Sequence, residues 1–167
     1  MTRLHIAQVN IGRIRAALDD PIMAGFVERL ADLNALADSS PGFVWRLQTP
    51  EGNATYLRPY PEDERLLVNM SVWEDIDALK AYVYRTGHAE LIRQRQNWFE
   101  KLDKPFMALW WVPAGHLPGV DEAKKRLAHL EKYGPTPFAF TFVKPFPPDE
   151  DFSQMIDWSS FEPWIVA

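Results

Sequence analysis

His88 and Arg95 are the residues whose types and spacing most readily do chemistry in this sequence. With Leu91, Ile92 and Phe99 they fall at offsets of three, four, seven and eleven, the repeat of one helix face. An imidazole in the first turn of that helix meets the positive end of the dipole, which disfavours the imidazolium. A neutral ring facing an apolar interior is a general base or a hydrogen-bond partner. The same placement suits a structural histidine bonded to a nearby carbonyl. Arg95 would bring a guanidinium inward, where it needs an anion or several carbonyl acceptors. That makes it either a clamp for a ligand's carboxylate, enolate or phenolate, or a salt-bridge partner of Glu74 or Asp75.

Around this pair stand residues that could line a binding site. Asn10, Asn69 and Ser71 are polar residues inside otherwise apolar segments, and each must be satisfied by backbone, water or ligand. Trp73, Tyr84, Trp98 and Trp111 could wall a pocket and stack a flat substrate, although each also suits a core. Metal sites look poor: His5, His88, His116 and His129 fall at no recognised ligand spacing, and cysteine is absent. Gly12, Gly115 and Gly119 match neither dinucleotide nor nucleotide fingerprints, and no serine sits in a nucleophile elbow. The expectation is chemistry without a cofactor; a heme held by one histidine is kept as an alternative.

The elements that must position these residues follow from pattern. Leu4–Ile11 alternates as a strand with Leu4, Ile6, Gln8 and Asn10 on one face. Asp20-Pro21 starts a helix, whose apolar stripe holds Ile22, Met23, Phe26, Val27, Leu30 and Leu33. Strands are expected over 43–48 and 65–73, with a proline-rich loop between them. Helices are expected after Glu74-Asp75 and over 88–102. A strand over 106–112, a helix over 121–133 closed by Gly134, and a fifth strand over 138–143 complete the reading. Lys124, Lys125 and Arg126 read as a solvated helix face. The order β-α-β-β-α-β is the split, ferredoxin-like arrangement: an α+β antiparallel sheet with helices on one face. Leu67 and Val68, and again Trp110 and Trp111, point to opposite faces, so both faces are apolar. The second face is expected to dock a partner's sheet, giving a homodimer.

Several segments resemble one family. They are Asn69-Met-Ser-Val-Trp73-Glu74, Tyr82-Val-Tyr84-Arg85-Thr-Gly-His88 and Arg93-Gln-Arg95-Gln-Asn-Trp98-Phe99. Trp110-Trp111-Val-Pro113-Ala-Gly115-His116, with Glu122-Ala123, Arg126-Leu127 and Gly134-Pro135-Thr136-Pro137, forms a second, more specific motif. The chain resembles the domain-of-unknown-function family 3291 over roughly residues 3–145. The resemblance implies the dimeric α+β barrel superfamily, beside antibiotic-biosynthesis monooxygenases, with a pocket between each sheet and its own helices. It leaves the reaction open, since that superfamily includes cofactor-free oxygenases, polyketide cyclases, heme enzymes and proteins without known activity. Residues 1–145 are therefore expected to form the domain and 146–167 a C-terminal extension, whose Trp158, Phe161 and Trp164 should cover a partner or the pocket mouth.

Composition narrows the rest. With 167 residues the chain suits one core, and a net charge of −5 argues against general nucleic-acid binding. No secretion signal or membrane-spanning run is visible, so a cytoplasmic protein is expected. The reading is a cofactor-independent enzyme acting by acid–base chemistry on a small hydrophobic, aromatic or polyketide-like molecule, as cyclase, isomerase or monooxygenase. The alternative is a non-catalytic small-molecule-binding or structural dimer.

Overall fold

The alternation at the N-terminus does form the central strand. In the computed structural model, which describes residues 2–85, 90 and 93–162, β1 runs Leu4–Ile14 and pairs on both sides. His88 and Trp164 lie outside the described residues. A short 3-10 turn, Pro21–Met23, leads into α1, Ala24–Ser39, and Asp20 caps it by accepting from the Ile22 amide at 3.0 Å. β2 (Phe43–Arg46), β3 (Leu66–Trp73) and α2 (Ile76–Arg85) follow. The chain then adds β4 (Phe99–Glu100), β5 (Met107–Pro113), α3 (Val120–Tyr133) and a short α4 (Glu150–Gln154). Every pairing is antiparallel, and the order β2-β3-β1-β5, with β4 beside β5 against β1, is ferredoxin-like.

Two expected elements come out shorter. The helix placed over 88–102 ends in a 3-10 turn at Arg95–Asn97, and Phe99 enters β4 to pair with Ile14. The expected fifth strand is reduced to single bridges, Leu109 with Phe140 and Thr136 with Ala139. Thr136 and Ala139 exchange backbone hydrogen bonds across a tight turn, and only Phe140 then pairs with Leu109.

The two sheet faces carry different covers. Ile6, Trp73 and Leu109 meet Ala37 of α1 and Leu79 of α2 at one end of the first face. Ile14, Leu67 and Trp98 meet Met23 and Phe26 at the other end. On the opposite face, Ala7, Val9, Val68, Met70, Ala108 and Trp110 pack under Ala123, Leu127 and Leu130 of α3. Ala54, Leu57 and Tyr60 from the loop before β3 extend that cover. The face expected to dock a partner's sheet is thus covered by α3 and the loop before β3 of its own chain. Among the described residues no helix is long and apolar enough to cross a membrane.

Arg126 corrects the solvated reading of its helix, because its side chain is wholly buried. Its guanidinium donates to Glu122 Oε1 at 3.0 Å and to the Phe138 carbonyl at 2.9 Å, and lies 3.9 Å from the Phe138 ring centroid. Glu122, buried as well, also accepts from Trp110 Nε1 at 3.0 Å and meets His116 Nε2 at 2.6 Å. The second sequence motif therefore builds one buried polar knot. Trp158 and Phe161 pack on it, 5.6 and 5.1 Å from the guanidinium, so these two aromatics of the extension have a place within their own chain.

Candidate functional site

The first face of the sheet carries a polar strip between its two apolar ends. Register places Gln8 opposite Ser71 and Asn10 opposite Asn69, so all four side chains rise on the same side. Gln8 is the hub: its Nε2 donates to Asn69 Oδ1 at 3.0 Å and to Ser71 Oγ at 2.9 Å. Asn10 Nδ2 donates to Gln8 Oε1 at 3.3 Å and reaches Asn69 Oδ1 at 3.5 Å. Trp73 Nε1 donates to Ser71 Oγ at 2.8 Å, which joins the aromatic end to the strip.

α1 does not seal this strip. The helix is buried at Ala37, and Met23 just before it is buried too, while its middle, with Leu30 and Leu33, is only half-buried. Ile22 and Val27, expected in the core stripe, are 50% and 40% exposed. The helix touches the sheet mainly at its ends. Over the middle, among the described residues, Gln8 and Ser71 are buried and Asn69 is exposed, which makes the strip a candidate cleft. Among the described residues, the Asn69 Nδ2 donors and the Asn10 Oδ1 acceptor have no hydrogen-bond partner. The cleft therefore offers one amide donor group and one acceptor to whatever enters it.

Trp73 closes the upper end, wholly buried, stacked on Tyr82 at 5.0 Å and edge-on to Phe43 at 5.4 Å. Burial pushes the Tyr82 phenol up to about 12, so it stays a neutral group. Trp98, buried with Ile14 and Leu67, closes the lower end. Two residues placed in the wall by the sequence are elsewhere. Tyr84 is 58% exposed and meets Phe142 edge-on, because it sits on the outer side of α2. Trp111 lies beside Ile6 at the upper edge, with its indole N–H donated to the Phe146 carbonyl at 2.9 Å.

Arg95 lies against the same face, one pleat step beyond Asn10. Its Nη2 donates to the Ile11 carbonyl at 3.0 Å, and its guanidinium lies 5.0 Å from the Phe99 ring and 4.9 Å from the Phe106 ring. Gly12 makes the room. A Cβ there would lie 2.5 Å from Phe99 Cδ1 and 3.1 Å from Arg95 Nη2. The salt bridge to Glu74 or Asp75 does not form, since Glu74 pairs with Arg3 and Asp75 caps α2 through the Ala78 amide. Among the described residues Arg95 has no carboxylate partner, and burial lowers its pKa below the ordinary value. It is a half-buried cation with donors to spare.

Sequence reasoning passed over Gln8 as a site residue, although its place on the Asn10 face of β1 was the signal. No cluster of three metal-ligating side chains occurs among the described residues.

Fold and side-chain geometry together give a ferredoxin-like α+β protein with a polar strip on the sheet face under α1 and α2. The sequence matches the domain-of-unknown-function family DUF3291 over residues 5–155, and the chain belongs to that family. The match takes in the first part of the segment set apart as an extension. No curated protein is similar in sequence. Solved structures are similar in part of their backbone, among them SnoaB, a cofactor-independent oxygenase from Streptomyces nogalater. It is 20% identical and aligns over 66% of this chain and 92% of its own, with a TM-score of 0.44. A protein of unknown function from Nitrosomonas europaea, NE2512, is 13% identical over 71% of this chain and 99% of its own, at 0.44. A candidate antibiotic biosynthesis monooxygenase from Chloroflexus aurantiacus is 16% identical over 70% and 98%, at 0.42. These likenesses concern backbone arrangement and carry no argument about chemistry.

Proposed function

We propose that the cleft over Gln8, Asn10, Asn69 and Ser71 takes a small hydrophobic molecule bearing a carbonyl or phenol. On this reading the protein is a cofactor-independent enzyme that acts on it by acid–base chemistry, of the cyclase, isomerase or monooxygenase type. One observation carries it: Asn69 presents free amide donors from a polar strip between the two apolar ends of the sheet face, with its carbonyl already held by Gln8. An amide fixed in this way is oriented before a ligand arrives, which is what stabilisation of a developing oxyanion requires. The substrate oxygen would accept from Asn69 Nδ2, and flat rings would lie between the Trp73 and Trp98 ends. Arg95 adds positive charge to the same face and so favours the enolate or phenolate over its neutral form. The proton leaving carbon or phenol would go to His88, the base expected from the sequence.

The test uses hydroxynaphthoquinones and anthrones as probes, read by tryptophan fluorescence for binding and by mass spectrometry for turnover. Binding with turnover that falls roughly a hundredfold or more in Asn69→Ala and in His88→Ala supports the enzyme. Binding without turnover leaves the small-molecule-binding alternative, and a Soret band lost in His88→Ala would establish the heme alternative. The homodimer is a separate proposal resting on the resemblance to the dimeric superfamily. Because α3 covers the second face, its contact would have to lie elsewhere, and the cleft does not depend on it.

A further inference from the structure

We infer that the opposite face of the sheet carries a second ligand site, for a small organic carboxylate with an apolar body. A cavity of about 330 Å³ opens there between Tyr60, the Lys104-Pro105 segment and α3. Its floor is Ile11 and Leu127, and its rim is Lys104, Lys124 and Lys125, with Glu131 the one carboxylate in the lining. Ile11 points away from the face that bears Asn10 and Gly12, so this cavity and the amide cleft lie on opposite sides of β1.

The rim is charged in an unbalanced way. Lys104 Nζ lies 5.0 Å and Lys124 Nζ 4.8 Å from the Tyr60 ring centroid. The two ammonium groups therefore stand within about 10 Å of each other beside a single ring, and like charges there repel. Among the described residues neither makes an ion pair. Lys125 is turned toward Phe161 at 5.2 Å, and Glu62 is the other carboxylate that acts on the Tyr60 phenol. Three lysines against Glu131, with Glu62 also acting on Tyr60, still leave a local positive balance in a chain whose net charge is −5. An anion held between Lys104 and Lys124 relieves their repulsion. Tyr60 adds a phenol that burial, with Glu62 and Glu131, keeps protonated and able to donate. The apolar floor then selects an anion with a hydrocarbon body over an inorganic one.

Benzoate titrated into the full chain, followed by the methyl resonances of Ile11 and Leu127, tests this. Benzoate should bind in the millimolar range and weaken by about tenfold or more in Lys104→Met/Lys124→Met, with unfolding temperature unchanged. High salt should weaken it too, and benzyl alcohol should fail to bind. Inorganic phosphate binding as tightly as benzoate would show that the floor takes no part and overturn the proposal. So would benzoate binding that ignores the lysine pair, or that follows Asn69→Ala and so belongs to the amide cleft. Failure of this test leaves the proposed function intact, because the two sites share no side chain.

Discussion

Removing the Glu122 carboxylate should be among the most damaging single changes in this protein. Glu122 is wholly buried, and its two oxygens take the Trp110 indole N–H, the Arg126 guanidinium and the His116 ring. In Glu122→Ala the equally buried Arg126 keeps the Phe138 carbonyl and its aromatic neighbours but loses its carboxylate. A buried cation stripped of its partner costs about 3–5 kcal/mol. For a chain of this size each kcal/mol lowers the unfolding temperature by roughly 2–4 °C, so a fall of about 6–20 °C is expected. Urea and thermal unfolding followed by circular dichroism give both numbers. The double variant Glu122→Leu/Arg126→Met removes both charges and should recover about half or more of the loss, since much of the single variant's penalty is the orphaned charge. A loss below about 1 kcal/mol in Glu122→Ala, or strictly additive losses in the double variant, would refute the reasoning.

Three further outcomes follow from the same structure. His5 has both ring nitrogens buried without a partner, and burial, then Arg3, push its imidazole below the ordinary 6.5 against a weaker upward pull from Glu74. The unfolded chain therefore binds more protons below that value. The contribution of His5 to stability is whole above pH 6.5 and lost as pH falls below it, so His5→Leu should raise the unfolding midpoint and flatten its acid side in thermal melts from pH 7 to pH 5. Truncation after Pro148 strips Trp158 and Phe161 from Arg126 and should lower thermal stability while leaving probe binding in the amide cleft unchanged. Gly12→Ala forces a Cβ onto Phe99 and should cost about 1–3 kcal/mol in urea unfolding and weaken anionic probes by displacing Arg95.

The sheet was legible because its signals are local. Alternation along Leu4–Ile11 and the cap at Asp20 arise within a few residues, and both read correctly, although the strand runs on to Ile14. What the sequence hid arises from contacts between distant segments. Arg126 sits beside two lysines and looks solvated, yet Phe138, Trp158 and Phe161 converge on it from ten or more residues away. The second face of the sheet looked bare because an amphipathic helix such as α3 does not announce which side of a sheet it will cover. At the candidate site Asn10 and Asn69 were legible singly, since each interrupts an apolar run, and the register is what pairs them. Gln8 shared the face of Leu4, Ile6 and Asn10 in the sequence, but only the register with Ser71 makes it the hub. Tyr84 failed as a wall because helix phase alone did not fix which side of α2 meets the sheet.

The most direct test of the account is the position of a bound ligand. A crystal structure with an added hydroxynaphthoquinone, or with whatever co-purifies, should show density over the first face between Trp73 and Trp98. A ligand oxygen should stand about 3 Å from Asn69 Nδ2. Density elsewhere, or a ligand in the cleft with no polar atom near Asn69, would contradict it.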